Sequence, residues 1–384
     1  MYPFYHVGQN RICTRCVMDT TDPEIVFDAD GICNHCIRAE HYLRTRMRLY
    51  REGPYRLQPL LQRIRADGKG KRYDCIIGVS GGVDSTYLAY FAAKSGLRCL
   101  AVHFDNGWDS ELAVKNIENT LKVLGIDLQT FVMDWEEFMD LQLAFLKASV
   151  PDIEVPTDHA IFATLYQAAL HHGIKYILSG INIATESILP RLWAYGHNDW
   201  RYIEGIHKRF GTRPLRNYPH YSLWTLGYYF GMRGLSAISI LNCIPYSKED
   251  ATAVLTKELG WRHYGGKHHE SIITRFLQTY ILPRKFNIDK RRAHLSSLVV
   301  AGSLTREAAL AQLSVEVYNA RQLEEDLNYV SKKFGVTVEE FTALMALPPR
   351  CFLDYPSHWA LVERLKRYRD ALQRLGLLPH QIGM

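Results

Sequence analysis

Tyr73-Asp-Cys-Ile-Ile-Gly-Val79, Ser80-Gly-Gly-Val-Asp-Ser85 and Thr86-Tyr-Leu-Ala-Tyr-Phe-Ala-Ala-Lys94 form one continuous stretch, and its reading decides the fold. The first run is short, apolar and rich in β-branched residues, which predicts a buried strand. The last run is apolar enough for a buried helix. Between them two glycines let the backbone turn tightly, bring its N–H groups close to an anion and hand over to the positive end of a helix. Ser80 and Ser85 can donate hydroxyl hydrogen bonds to phosphate oxygens, and Asp84 can hold a metal ion or orient the loop. No lysine follows the glycines, so this is not the GxxxxGK[ST] loop. In isolation the hexapeptide could be a glycine turn with a capping serine; directly behind a strand pattern, an anion loop explains it better.

Outward from this core, Arg98 to Phe104 reads as a second strand and Glu111 to Leu124 as a helix. Asp127 to Met133 and Tyr176 to Ser179 read as further strands, with a helix over Asp158–His171 capped by Thr157. Alternating strands and helices predict an α/β fold with a doubly wound parallel sheet covered on both faces. The chain beyond about Asp250 carries amphipathic helical patterns and few strand signals. Four units are expected: residues 1–37 with four cysteines, a basic helical linker over 38–70, a nucleotide domain over 71–260, and a helical region over 261–384 that completes the substrate site.

The 384 residues, 47% hydrophobic and 22% charged, exclude a disordered or disulfide-dense chain. No apolar run approaches the ~18 residues of a membrane span, and the first residues lack the pattern of a secretory signal. A cytoplasmic protein with reduced or metal-bound cysteines is the expectation. The net charge of +6 is unevenly spread. Arg38 to Arg72 holds 11 Lys/Arg against 3 acidic residues, so this segment carries +8 and the rest about −2. It could face nucleic acid, a polyanionic ligand or an acidic partner, or be a solvated helix face. Gly53-Pro54 is expected to break its helix.

Cys13-x2-Cys16 and Cys33-x2-Cys36, separated by 16 residues, have the spacing of a four-thiolate tetrahedral site. Such a site has no open position for water and is structural; zinc is the expected metal, although spacing alone also admits an iron–sulfur cluster. Cys75, Cys99, Cys243 and Cys351 form no pair in the sequence, and the first two fall in strand patterns as core residues.

Ser-Gly-Gly-Val-Asp-Ser85 resembles the pyrophosphate loop of the ATP-pyrophosphatase (PP-loop) superfamily, which has a HUP-like fold. The resemblance implies ATP cleavage between the α- and β-phosphates with magnesium, AMP left on a carbonyl oxygen, and displacement by a nitrogen or sulfur nucleophile. It assigns nucleotide contacts to Ser80, Gly81, Gly82, Asp84 and Ser85, to His103, Asp105 and Asn106 at the end of the second strand, and to Gly180 and Asn182 in Ser179-Gly-Ile-Asn182. Longer matches resemble the N-acetyl sugar amidotransferases of bacterial O-antigen (lipopolysaccharide) and nonulosonic acid synthesis. They are His103-Phe-Asp-Asn-Gly-Trp-Asp-Ser-Glu111, Asp134-Trp-Glu-Glu-Phe138, Pro156-Thr-Asp-His-Ala160, Asn182-Ile-Ala-Thr-Glu186, Gly265-Gly-Lys-His-His-Glu-Ser271, Leu282-Pro-Arg-Lys-Phe286 and Asp289-Lys-Arg-Arg-Ala-His-Leu-Ser-Ser297. They extend to about Ala309 and leave the last 75 or so residues without a matching motif.

That resemblance implies conversion of a sugar N-acetyl group, on a UDP-linked diacetamido uronic acid or a nonulosonic acid, into an acetamidino group. Lys248 or Lys267 would neutralise phosphate charge, and Glu270, expected on one helix face with Lys267, would accept a proton from ammonia. Arg275, Arg291, Arg292 and His294 are candidates for phosphate or sugar-acid contacts. Read without the resemblance, each of these is a surface ion pair or a packed helix residue. Position 2 is Tyr2 rather than a nucleophilic cysteine, and no Gly-x-Cys-x-Gly occurs. Ammonia is therefore expected from a separate glutaminase, paired as in imidazole-glycerol-phosphate synthase, with the cysteine module and basic segment as candidate docking surfaces.

Two rivals share parts of this pattern. A tRNA-thiolating enzyme would use the same adenylation, and the basic segment suits tRNA, but no paired redox cysteines flank the loop. A zinc-ribbon binding protein would carry a vestigial loop, which the intact Ser80, Asp84 and Ser85 oppose. A sugar substrate is accordingly expected rather than nucleic acid.

Overall fold

The computed structural model describes residues 10–263, 270–316 and 320–374, without the side chains of 45–54 and 369–374. Helix α1 (Asn34–Asp67) leads into β1 (Cys75–Gly78), α2 (Val83–Lys94), β2 (Cys99–Asp105), α3 (Glu111–Leu124), β3 (Asp127–Val132), α4 (Trp135–Ala148), α5 (Val155–His171) and β4 (Tyr176–Leu178). Then come α6 (Ile183–Glu186), α7 (Trp200–Phe210), α8 (Leu223–Leu226), β5 (Ser236–Ile238) and α9 (Lys248–Leu259). The remainder is helical: α10 (Ile272–Phe276), α11 (Leu282–Phe286), α12 (Lys290–Val300), α13 (Arg306–Leu313), α14 (Ala320–Lys333), α15 (Val338–Ala346) and α16 (Trp359–Arg374).

The five strands pair in parallel in the order β3-β2-β1-β4-β5. Strand side chains alternate between faces, and the packing follows this alternation. Ile76, Leu100, Val102 and Ile177 pack with Ala163, Leu165 and Ala169 of α5. Cys75, Ile77, Ala101 and Leu178 pack on the other face with Leu61 and Ile64 of α1 and Leu88 and Ala89 of α2. Each such fully buried aliphatic side chain contributes ~1.5–3 kcal/mol relative to exposure. The chain winds outward from β1 to β3, then crosses back to β4, so the winding reverses between β1 and β4. Open α/β sheets bind ligands at such a reversal, outside the strand carboxyl ends.

Several expectations are corrected. Helix α1 runs unbroken through Gly53-Pro54. Helix α5 starts at Val155 with Pro156 in its first turn, so Thr157 lies inside it rather than capping it. Pro lacks the N–H that an interior position needs and suits a helix start instead. Strand β5 is only three residues long and half-buried, too short to show alternation. Cys75 and Cys99 are direct neighbours across β1 and β2, with sulfurs 3.4 Å apart. They sit where the strands begin, at the far end of the sheet from the loop. Val330, Phe334, Phe341, Phe352 and Tyr355, from the last 75 or so residues, share the largest core cluster with Phe104, Trp108 and Phe138. No described helix is long and apolar enough to cross a membrane.

Candidate active site

The loop after β1 closes on itself. Ser80 Oγ and Ser85 Oγ lie 3.2 Å apart, and Ser85 Oγ donates to the Gly82 carbonyl at 3.2 Å. Gly82 is the N-cap residue of α2, with Asp84 in its first turn. Gly81 holds φ at +77°, and a Cβ there would stand 2.5 Å from the Ala113 carbonyl oxygen. Both the left-handed turn and the close approach to α3 therefore require glycine. Trp261 Nε1 donates to the Gly81 carbonyl at 3.0 Å, fixing the turn from the other side.

Ser80, Gly82, Val83, Asp84 and Ser85 line a cleft of about 200 Å³ with Ser179, Gly180, Ile181, Glu186, Lys248 and Glu270. This is smaller than the ~300–1,000 Å³ usual for ligand pockets and suits the phosphate end of a nucleotide. Gly180 admits the Asp84 backbone: an added Cβ would lie 3.2 Å from its carbonyl carbon and oxygen. Lys248 opens α9, behind the Ser247 N-cap. Glu270 sits in a turn ahead of α10 rather than on a helix, and its carbonyl accepts from Ser110 N–H at 2.8 Å. Lys267 and most of its motif lie outside the described residues. Tyr246, which the sequence did not single out, donates its hydroxyl to Asp84. Burial, the Asp84 charge and that bond push the phenol far above its ordinary pKa.

The other expected residues fall outside this cleft lining. His103 is buried behind the loop, its Nδ1 3.0 Å from the Val79 carbonyl and its Nε2 3.4 Å from Asp109. Asp105 and Asn106 accept from the backbone N–H of Gly107 and Trp108, shaping their own turn. Asn182 caps α6 through Ala184 N–H at 2.8 Å. Arg275 pairs with Asp326 at 2.7 Å. Arg291 pairs with Asp289 at 2.8 Å, and Arg292 pairs with Asp19 at 3.0 Å. His294 Nδ1 lies 3.2 Å from the Thr185 carbonyl.

Cys13, Cys16, Cys33 and Cys36 are all buried, and their sulfurs lie within 4.8 Å of one another. Three separations are 3.7, 3.7 and 3.9 Å. A tetrahedron with metal–sulfur bonds of ~2.3 Å has edges of ~3.8 Å, so one ion at the centre fits. Backbone N–H groups of Arg15, Cys16 and Cys33 point at Cys13 Sγ, at 3.4, 3.5 and 3.2 Å, as expected around a thiolate. Arg306 donates to the carbonyls of Cys13 and Cys16, and Ser296 Oγ accepts from Val17 N–H. The module is thus fastened to α12 and α13.

Two quoted motifs hold the fold. Asp134 caps α4, and Glu137 accepts from the N–H groups of Arg216, Asn217 and Tyr218. His159 stacks on Tyr221 at 4.1 Å; burial lowers its pKa to about 4, and its Nε2 accepts from Tyr221 N–H.

Residues 270–366 match the family described as LPS biosynthesis protein WbpG-like, C-terminal domain. Residues 74–190 match the family described as queuosine biosynthesis protein QueC. The first match continues well past Ala309, into the region where no motif was expected. A curated relative, tRNA(Ile)-lysidine synthase of Chlamydia pneumoniae, is 28% identical over 164 residues, 40% of this chain. The chain spans about half that relative's length, 47%. Among solved structures, NMN synthetase from Francisella tularensis is 13% identical with a TM-score of 0.33, covering 78% of this chain and 97% of its own. That likeness is too slight to argue from.

Proposed function

From its place as a WbpG-like member of the ATP-using PP-loop superfamily, we infer that this chain is an AMP-forming amidotransferase in lipopolysaccharide sugar synthesis. The observation that carries the reading is the cleft in which Ser80, Asp84 and Ser85 face Lys248 and Glu270 across the sheet's winding reversal.

An amide oxygen is a poor leaving group. Attack of a sugar N-acetyl oxygen on the α-phosphorus of ATP breaks the bond to the bridging oxygen, forms an O-adenylyl imidate and releases pyrophosphate. Ammonia then adds to the imidate carbon and AMP leaves, giving the acetamidino group. Loop N–H groups, the α2 N-terminus and both serine hydroxyls receive the pyrophosphate charge. Asp84 would hold magnesium, which would supply charge neutralisation at the phosphates. Lys248 and Glu270 line the same cleft, where Lys248 would balance the α-phosphate and Glu270 would take a proton from ammonia. The four-cysteine site would hold zinc as a structural ion, and ammonia would come from a separate glutaminase. The domain division at 70 and 260 belongs to this reading.

The tRNA-lysidine synthase match and the +8 segment favour a second reading, a tRNA-modifying enzyme with the same first step. Binding of tRNA that weakens steeply with salt would support it. The common step is tested by chromatography of the ATP products. AMP and pyrophosphate are expected, with loss of turnover in a Ser80→Ala plus Asp84→Ala variant. Retained turnover in that variant would overturn the loop assignment.

A further inference from the structure

His103 is buried at the end of β2, directly behind the loop. Its Nδ1 faces the Val79 carbonyl at 3.0 Å, and Val79 immediately precedes Ser80. Its Nε2 faces Asp109 Oδ2 at 3.4 Å. A carbonyl only accepts, and an ionised carboxylate only accepts. A hydrogen on Nδ1 satisfies the carbonyl, and a second on Nε2 makes the ring an imidazolium beside the buried Asp109 carboxylate. Asp109 Oδ2 is buried and makes no hydrogen bond among the described residues, which leaves His103 Nε2, 3.4 Å away, to balance its charge.

Asp109 also belongs to a second construction. It forms an antiparallel bridge with Ser271, while Ser110 N–H donates to the Glu270 carbonyl at 2.8 Å and Ile272 N–H to the Trp108 carbonyl at 2.9 Å. The wall of the cleft that carries Glu270 is therefore hung on residues 108–110. Val79, His103, Asp109 and the Glu270 segment form one connected series from the loop to the opposite wall. The loop has no lysine of its own.

We propose that His103 is a positioning residue, held as an imidazolium, that sets a fixed positive charge behind the departing pyrophosphate and ties the loop to the Glu270 wall. The role rests on the pyrophosphate-loop reading above. The histidine thus acts through the loop rather than as the nucleotide contact expected from the sequence. Burial opposes its charge, but Asp109, the Val79 carbonyl and Asp105 outweigh burial and raise its pKa above the ordinary histidine value.

The test uses the full-length chain. Imidazole 15N shifts report the ring's charge, and the signal is assigned by its loss in His103→Gln or its displacement in Asp109→Asn. Calorimetry measures binding of magnesium pyrophosphate. A charged ring at pH 7.5 is expected in the wild type, with roughly tenfold weaker binding in His103→Gln. Asp109→Asn removes the carboxylate but not the burial, so the ring's pKa should fall and pyrophosphate binding should weaken at a lower pH than in the wild type. A merely structural histidine would not produce that pH profile. Should His103→Gln fail to fold, the wild-type spectrum and the Asp109→Asn profile decide. A neutral wild-type ring with normal pyrophosphate binding overturns this inference alone. No pyrophosphate binding by the wild type overturns the loop reading, and this role with it.

Discussion

Substitution of Gly81 by alanine separates backbone strain from steric collision in a way that another glycine can calibrate. Gly70 has φ +79°, nearly the +77° of Gly81, but an added Cβ there meets nothing within 4 Å. Gly70→Ala therefore carries only the left-handed penalty, ~1–2 kcal/mol. Gly81→Ala carries the same penalty and also drives its Cβ to 2.5 Å from the Ala113 carbonyl oxygen. Backbone cannot swing aside as a side chain can, so the loop or α3 must move, at a further ~1–3 kcal/mol. Movement of the loop would also disturb the Trp261 bond to the Gly81 carbonyl. Chemical denaturation of both variants beside the wild type measures the difference, and ATP consumption reads the loop. Gly81→Ala should lose about 2–5 kcal/mol and nearly all turnover; Gly70→Ala should keep its turnover. Equal stability and equal turnover in the two variants would refute the reasoning.

Cys13→Ser and Cys33→Ser should each lose bound zinc by elemental analysis and lower the folded yield; a folded, zinc-replete variant would disprove the four-cysteine site. Burial pushes the Glu154 carboxyl up to about 8 from an ordinary 4.5, against a 2.5 Å bond from Thr274 Oγ1. The stability contributed by its protonated form is then complete below pH 4.5 and lost as pH rises through about 8. Melting curves of Glu154→Gln should accordingly gain on the wild type between those limits, and a constant difference would count against the shift. Reversing charge at Arg44, Arg48 and Arg51 should impair glutamine-dependent turnover while leaving ammonium-dependent turnover intact. Unchanged coupling to the glutaminase would sink α1 as its docking surface.

The strand–loop–helix core was readable because its signals are local. Ile76 and Ile77 announce a buried strand, and Gly81 marks a left-handed turn that needs glycine. The cysteine quartet was readable for the same reason, since four ligands at two short spacings need no tertiary information. What sequence could not supply was partnership across the fold. Tyr246 reaches Asp84 from 162 positions away, and nothing in its neighbourhood announces that bond. Arg275 and Arg292 look like ligand contacts in one dimension, yet each meets a buried carboxylate, Asp326 and Asp19. The Gly53-Pro54 break failed because a local rule about proline does not govern this helix. Glu137 and His159, both within quoted motifs, serve packing and backbone bonding in this fold.

The central claim is a change of one amide oxygen for NH at the expense of ATP. It is tested most directly by mass spectrometry after incubation with ATP, magnesium, ammonium and candidate N-acetyl sugar nucleotides. The account predicts an acetamidino sugar formed in step with AMP. Release of ADP, or AMP without change in any sugar, would contradict it.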